Sequence, residues 1–190
     1  FPNATPNTYT IDKVSCLFFK DGSCRKCQEI CPVRAVDFDQ KPVEENLDVG
    51  CMVVATGYDI YEPLDLPNYG FGKFKDVITA LQLERMIDTN TQLIGELQRP
   101  SDGKTPESVA YIQCAGSRDV NKFEYCSGFC CMYGLKEAIL LKEHYKDDVE
   151  VYILYMDMRT PFKGYEEFYR RAREMGITFI RGKASQILED

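Results

Sequence analysis

The sequence predicts an α/β protein in which parallel strands are joined by crossover helices, with a small cysteine-held segment at its N-terminus. Three observations predict it. Residues 108–157 run as strand SVAYIQC, a glycine-containing loop, helix MYGLKEAILLKEHY and strand VEVYILYMD, the order of a βαβ unit. From Asp48 the stretch VGCMVVATGYD is apolar up to Thr56-Gly57, the pattern of a parallel strand buried on both faces. Residues 1–45, by contrast, are turn-rich and hold four of the nine cysteines.

Taken in order, the elements divide the chain into segments 1–45, 46–107 and 108–190. In the first, Asp21-Gly22 marks a turn and Cys31-Pro32 closes a cysteine motif. In the second, the apolar strand gives way to a loop carrying Pro63, Pro67, Gly70 and Gly72. DVITALQLERMID then places Val77, Ile78, Leu81, Met86 and Ile87 at near-helical spacing, and RPSDGKTPES forms another loop with a turn at Asp102-Gly103. In the third, the βαβ unit is followed by helix GYEEFYRRAREMG, whose Tyr165, Phe168, Tyr169, Ala172 and Met175 share a face, and by strand ITFIRG.

Composition narrows the function classes. With 190 residues, 44% of them hydrophobic, the chain can bury a core without covalent staples. Acidic residues outnumber basic ones 30 to 23, so the overall field repels nucleic acid and anionic membrane. His144 is the single histidine, which excludes multi-histidine metal sites and His-dependent triads within this chain. No apolar run reaches the length of a membrane helix, and FPNATPNTYT lacks the layout of a signal peptide, so a cytoplasmic location is expected. In that reducing setting, clustered cysteines indicate metal or redox chemistry before disulfides. A start at Phe1, in a polar and proline-bearing stretch, reads as part of a longer protein.

The first cysteine set is Cys16-x7-Cys24-x2-Cys27-x3-Cys31-Pro32. Two residues between thiolates let the chain wrap one face of a cubane cluster, and the x3-Cys-Pro ending matches the bacterial ferredoxin run. Cys16, seven residues away where ferredoxins have two, must return over a loop. Lys20, Arg25, Lys26 and Arg34 lie among these ligands and can offset an anionic cluster. Zinc is the alternative, but zinc sites favour two Cys-x2-Cys knuckles and this chain has one; a disulfide pair is the other.

The second set is Cys114, Cys126, Cys130 and Cys131, where Cys114 ends the first βαβ strand and the others precede or open its helix. A Rossmann-type dinucleotide unit holds G-x-G-x-x-G at this turn, so that pyrophosphate meets the helix N-terminus. Here the turn is lengthened to CAGSRDVNKFEYCSGFCCMYG, and nucleotide binding is expected to be lost. Were 126–131 helical, Cys126 and Cys130 would share a face and Cys131 would point about 100° away, so one cluster requires the helix to begin late or distort. Buried cysteines used as small apolar residues, or a redox-active Cys130-Cys131 pair, are the alternatives. Of the remaining residues, Cys51 is expected to pack inside its strand, His144 to favour the negative end of its helix, and Asp157 to be a solvated strand end. Lys136 is either a surface lysine or a residue facing a redox cofactor.

The Cys-x2-Cys-x3-Cys-Pro module leading into VVATG, followed by VITALQLERM, RPSDGK, VAYIQCAGSRD, YCSGFCCMYGLKEA, LYMDMR and GYEEFYRRAREMGITFIRG, resembles the HdrA subunit of heterodisulfide reductase along essentially the whole chain. Quinone-interacting oxidoreductase (Qmo) subunits of sulfate reducers are similar. The resemblance implies a thioredoxin-reductase-type FAD flavoprotein core interrupted by a ferredoxin insert. Residues 1–45 would be the tail of that insert, 46–107 would include the return to the FAD domain, and 108–190 would be the counterpart of the nicotinamide-nucleotide domain. It further implies that Ala55, Thr56 and Gly57 form the turn approaching FAD. Glu84 and Lys136 are similar in position to polar residues near the isoalloxazine. The second cysteine set is implied to be a further [4Fe-4S] site.

The function expected is therefore an electron-transfer segment of an anaerobic iron–sulfur flavoprotein. In it, clusters on Cys16, Cys24, Cys27, Cys31 and on Cys114, Cys126, Cys130, Cys131 relay electrons to or from a flavin, among the other subunits of a heterodisulfide-reductase-like or quinone-interacting complex. The first FAD fold is absent from these residues, so the piece alone is expected to bind FAD poorly and not to catalyse. A zinc-stabilised Rossmann-like binding module, or a thiol–disulfide oxidoreductase using its vicinal cysteines, are the competing readings.

Overall fold

The computed structural model describes residues 9–89 and 95–189; the N-terminal stretch on which the leader and fragment readings rest lies largely outside them. The chain forms two compact units, residues 1–58 and 59–190, and is mixed α/β with one small parallel sheet.

The first unit carries two one-turn helices, α1 (Leu17–Asp21) and α2 (Lys26–Ile30). Gly22 ends α1 in the left-handed conformation, returning its N–H to the Phe18 carbonyl. Phe18, Phe19 and Phe38 make the unit's aromatic contacts, with the Phe18 and Phe38 rings 4.0 Å apart and the Arg25 guanidinium over Phe18. Among the unit's described residues only Phe38 is buried.

One expectation fails in this unit. The apolar run around VGCMVVATG forms no strand, and Met52, Val53 and Val54 are exposed, as is Cys51, which therefore does not pack. Apolarity alone does not make a strand: a ladder requires a neighbouring backbone to exchange hydrogen bonds. Among the described residues no strand pairs with this run.

The second unit holds the core. Two 3₁₀ turns (Pro63–Asp65 and Pro67–Tyr69) lead to α3 (Ala80–Ile87). That helix begins at a capping box, in which the Thr79 hydroxyl accepts from the Gln82 N–H and the Gln82 side chain accepts from the Thr79 N–H at 2.8 Å. Then come β1 (Ser108–Ile112), α4 (Cys130–Tyr145), β2 (Glu150–Tyr155), α5 (Tyr165–Glu174) and β3 (Thr178–Arg181). The strands are parallel in the order β1-β2-β3, with Tyr111 opposite Ile153 and Ile153 opposite Phe179. The expected alternation of strand and crossover helix is thus present. Leu135, Ala138, Ile139 and Leu141 of α4 pack with Val151 and Ile153 of β2, Ala172 of α5 and Leu83 of α3. Fully burying each large aliphatic side chain stabilises by roughly 1.5–3 kcal/mol.

The loop between β1 and α4 is held by its own backbone. Arg118 N–H donates to the Tyr125 carbonyl, Asp119 N–H to Phe123 and Phe123 N–H to Gly116. Gly116, at φ +72°, lies under the Tyr61 ring, which a Cβ would meet at 2.5–2.7 Å. Gly128, at φ +85°, prevents helix from extending upstream, and α4 starts at Cys130.

Candidate metal centre

The late start of α4 decides the geometry of the second cysteine set. Cys130 and Cys131 open the helix, Cys126 stays outside it, and Cys114 lies two residues beyond β1 at φ +60°. Cys114, Cys130 and Cys131 are all buried, while Cys126 is half-buried with its sulfur accepting from the Gly128 N–H at 3.4 Å. The three buried sulfurs form a row. Cys130 sits between Cys114 and Cys131, and these two neighbouring thiols are the main influence holding its own thiol well below the usual range. Cys114 and Cys131 are pushed up by the neighbouring Cys130 and by burial. Cys131 is also in contact with the end of β2, close to the Asp157 carbonyl (3.8 Å) and accepting from the Arg159 N–H at 3.5 Å.

A cation stands beside the row. The Arg118 guanidinium lies against Cys114, favouring its thiolate, and donates through Nη2 to Asp157 Oδ2 at 2.8 Å. Asp157 also accepts from Arg181 at 3.3 Å, and the two guanidinium groups hold its carboxyl below the ordinary carboxylate range, chiefly through the Arg118 hydrogen bond. Asp157 is the half-exposed strand end expected, and it also forms a charged bridge from loop to sheet.

In the first set, Cys16 precedes α1, Cys24 lies between the helices, Cys27 is on α2 and Cys31 follows it. Cys31 accepts from the Ala35 N–H at 3.3 Å, and that bond, aided by the N–H groups of Val33, Arg34 and Val36, lowers its thiol. The structure does not gather these four sulfurs. Among the described residues no three His, Cys, Asp or Glu side chains surround a common point as a metal shell, in either set. The donor chemistry nevertheless fits an anionic sulfur-rich group at both: amides ring one sulfur of the first set, and a guanidinium adjoins Cys114, one of three buried sulfurs of the second.

Of the residues linked to a flavin, Ala55, Thr56 and Gly57 are exposed and Gly57 has open space around it. Glu84 of α3 and Lys136 of α4 meet in an ion pair at 2.7 Å, both side chains partly exposed. Next to Lys136 lies a residue the sequence reading missed. Glu137 is buried, its Oε2 unpartnered, beside the equally buried and unpartnered hydroxyl of Tyr111. Burial first, then the Glu84 charge, push the Glu137 carboxyl up to about 8. The signal was present: Glu137 falls on the inward face of α4 among Leu135, Ala138, Ile139 and Leu141. Arg118 was missed as well, although the reasoning applied to Lys20, Arg25, Lys26 and Arg34 around the first set would have found it.

His144 lies in the last turn of α4, as expected. No described helix is long and apolar enough to cross a membrane.

No family model matches the chain. Individual proteins do. It is 48% identical over 193 residues to the HdrA subunit of the H(2):CoB-CoM heterodisulfide,ferredoxin reductase of Methanothermobacter thermautotrophicus, and 47% over 192 residues to the iron-sulfur HdrA subunit of the CoB--CoM heterodisulfide reductase of Methanocaldococcus jannaschii. Both alignments cover 100% of this chain and 28% of the relative. The HdrA subunit of the ferredoxin/F(420)H(2)-dependent CoB-CoM heterodisulfide reductase of Methanosarcina acetivorans is 44% identical over 187 residues, 98% of this chain and 23% of that protein. The chain thus spans about a quarter of the length of these relatives, and over that whole span it belongs to the HdrA family of heterodisulfide reductase subunits.

Proposed function

We propose that this chain is an electron-transfer segment of an iron–sulfur flavoprotein oxidoreductase working in the cytoplasm with the other subunits of a heterodisulfide reductase. In this reading residues 1–45 are a ferredoxin-like segment, 46–107 contribute part of an FAD domain, and 108–190 form a Rossmann-like unit. One [4Fe-4S] cluster is held by Cys16, Cys24, Cys27 and Cys31, the other by Cys114, Cys126, Cys130 and Cys131. Such a cluster exchanges one electron at a time, whereas a flavin accepts two.

The observation that carries the reading is the row of buried sulfurs at the mouth of α4, where a Rossmann unit has bare backbone for a pyrophosphate. The name of the M. jannaschii relative, an iron-sulfur subunit, supports it. The chain's own residues do three things. Cys114, Cys130 and Cys131 supply thiolate sulfur in a site closed to water. The amides of residues 33–36 and the Arg118 guanidinium stabilise negative charge on sulfur at the two sites. Lys136, fixed by Glu84, offers a cation to a flavin, and Ala55, Thr56 and Gly57 offer an exposed turn.

The test is iron and acid-labile sulfide per chain in anaerobically prepared protein. Two clusters give about eight of each by the composition of a [4Fe-4S] unit. Cys27→Ser and Cys130→Ser should each remove about half. Colourless protein carrying zinc and no sulfide would overturn the reading.

A further inference from the structure

Arg118 is placed with more constraint than a loop arginine needs. Its backbone adopts φ +54°, a left-handed conformation that costs a non-glycine residue free energy, as does that of Cys114 at φ +60°. Its N–H is tied to the Tyr125 carbonyl, and its side chain, 21% exposed, is anchored through Nη2 to Asp157. The other terminal nitrogen, Nη1, is buried and donates to no partner. A buried guanidinium N–H left unpaired is costly, and this one belongs to a group lying against Cys114. The fold therefore spends backbone strain and desolvation to hold a permanent cation and a spare donor at the sulfur row.

We propose that Arg118 sets the reduction potential of the cluster held at Cys114, Cys126, Cys130 and Cys131, its free Nη1 being the donor available to sulfur there. The proposal rests on the cluster reading above and assigns one residue's part in it. The step concerned adds a single electron to the cluster, and no bond is made or broken. Added negative charge is stabilised by the neighbouring cation, so Arg118 raises the potential. Arginine suits this role better than lysine because it stays protonated at every working pH and carries several donors in a fixed plane. Asp157 opposes it: by pairing with Nη2 it cancels part of the cation's field while holding the side chain in place.

This opposition gives a test that a merely structural role would not pass. In the full-length protein, prepared anaerobically, the cluster is identified as the paramagnetic signal lost in Cys130→Ser, and its midpoint is followed in Arg118→Gln, Arg118→Lys and Asp157→Asn. Arg118→Gln should lower the reduced-to-oxidised ratio at the wild-type midpoint at least about tenfold, or about 59 mV for one electron, the direction that follows from removing a neighbouring positive charge. Arg118→Lys should give a smaller downward shift, and Asp157→Asn a shift upward. A cluster that depends on Cys130 but keeps its midpoint in these variants overturns the proposal and leaves the cluster reading standing. Iron content unaffected by Cys130→Ser overturns both. If Arg118→Gln cannot hold iron, the sign of the Asp157→Asn shift decides: upward supports the proposal, unchanged or downward refutes it.

Discussion

Glu137 shows how one side chain can cost a fold stability while sitting in its core. Its carboxyl is 1% exposed, and its pKa of about 8 lies above the ordinary value of 4.5 because burial disfavours the charge. Between those two values the folded state binds the proton and the unfolded state releases it. Stability is then highest below about 4.5 and falls as pH rises through about 8. Glu137→Gln, which keeps the shape and removes the titration, should therefore flatten this dependence. Thermal melting should show the variant gaining about 3 kcal/mol more over wild type at pH 8 than at pH 5.5, since each pH unit in that window is worth about 1.4 kcal/mol. An equal change at both pH values would mean that Glu137 is already ionised in the fold. Arg118 and Glu137 were both legible in principle, one as a basic residue four positions after Cys114 and the other as an acid on an apolar helix face. What the sequence did not show was that Arg118 bends toward the cysteines, because that depends on a left-handed backbone at a non-glycine residue.

At the scale of elements, local rules and tertiary contacts divide the work. The α3 start is local: Thr79 and Gln82 satisfy each other's backbone, so Thr79→Ala should lower stability by about 1 kcal/mol, read from the denaturant midpoint. The β1–α4 loop is a packing matter. Gly116→Ala would put a methyl group into the Tyr61 ring at a left-handed φ, and a loss of about 1–3 kcal/mol is expected, partly recovered when Tyr61 is also made Leu. If the single and double variants melt together, Tyr61 does not rest on this turn. Periodicity located α3, α4, α5 and the three strands because their apolar faces all meet one core. It could not set the first residue of α4, since a cysteine at position 126 fits the helical pattern as well as one at 130. The left-handed Gly128 makes the difference.

Across the molecule, the two units differ in what holds them. The sheet unit buries a continuous cluster running from Leu83 to Ile177, and Ile153→Ala there should cost about 2–5 kcal/mol. Residues 9–58 bury one side chain, so metal binding is expected to supply much of that unit's folding free energy. Removing iron with a chelator should erase amide protection over residues 9–45 while β1, β2 and β3 keep theirs; uniform loss, or none, would count against this division. The order of residues was enough to establish the spacing of the cysteines, the βαβ order, the acidic balance and the family, because residue spacing and hydrophobic period are local properties of the chain. Packing in three dimensions settled that Cys114, Cys130 and Cys131 meet while Cys126 stands off, that Asp157 joins two guanidinium groups, and that the run through Val53 stays exposed. Each of these depends on which distant backbone arrives alongside, and no single stretch of sequence carries that information.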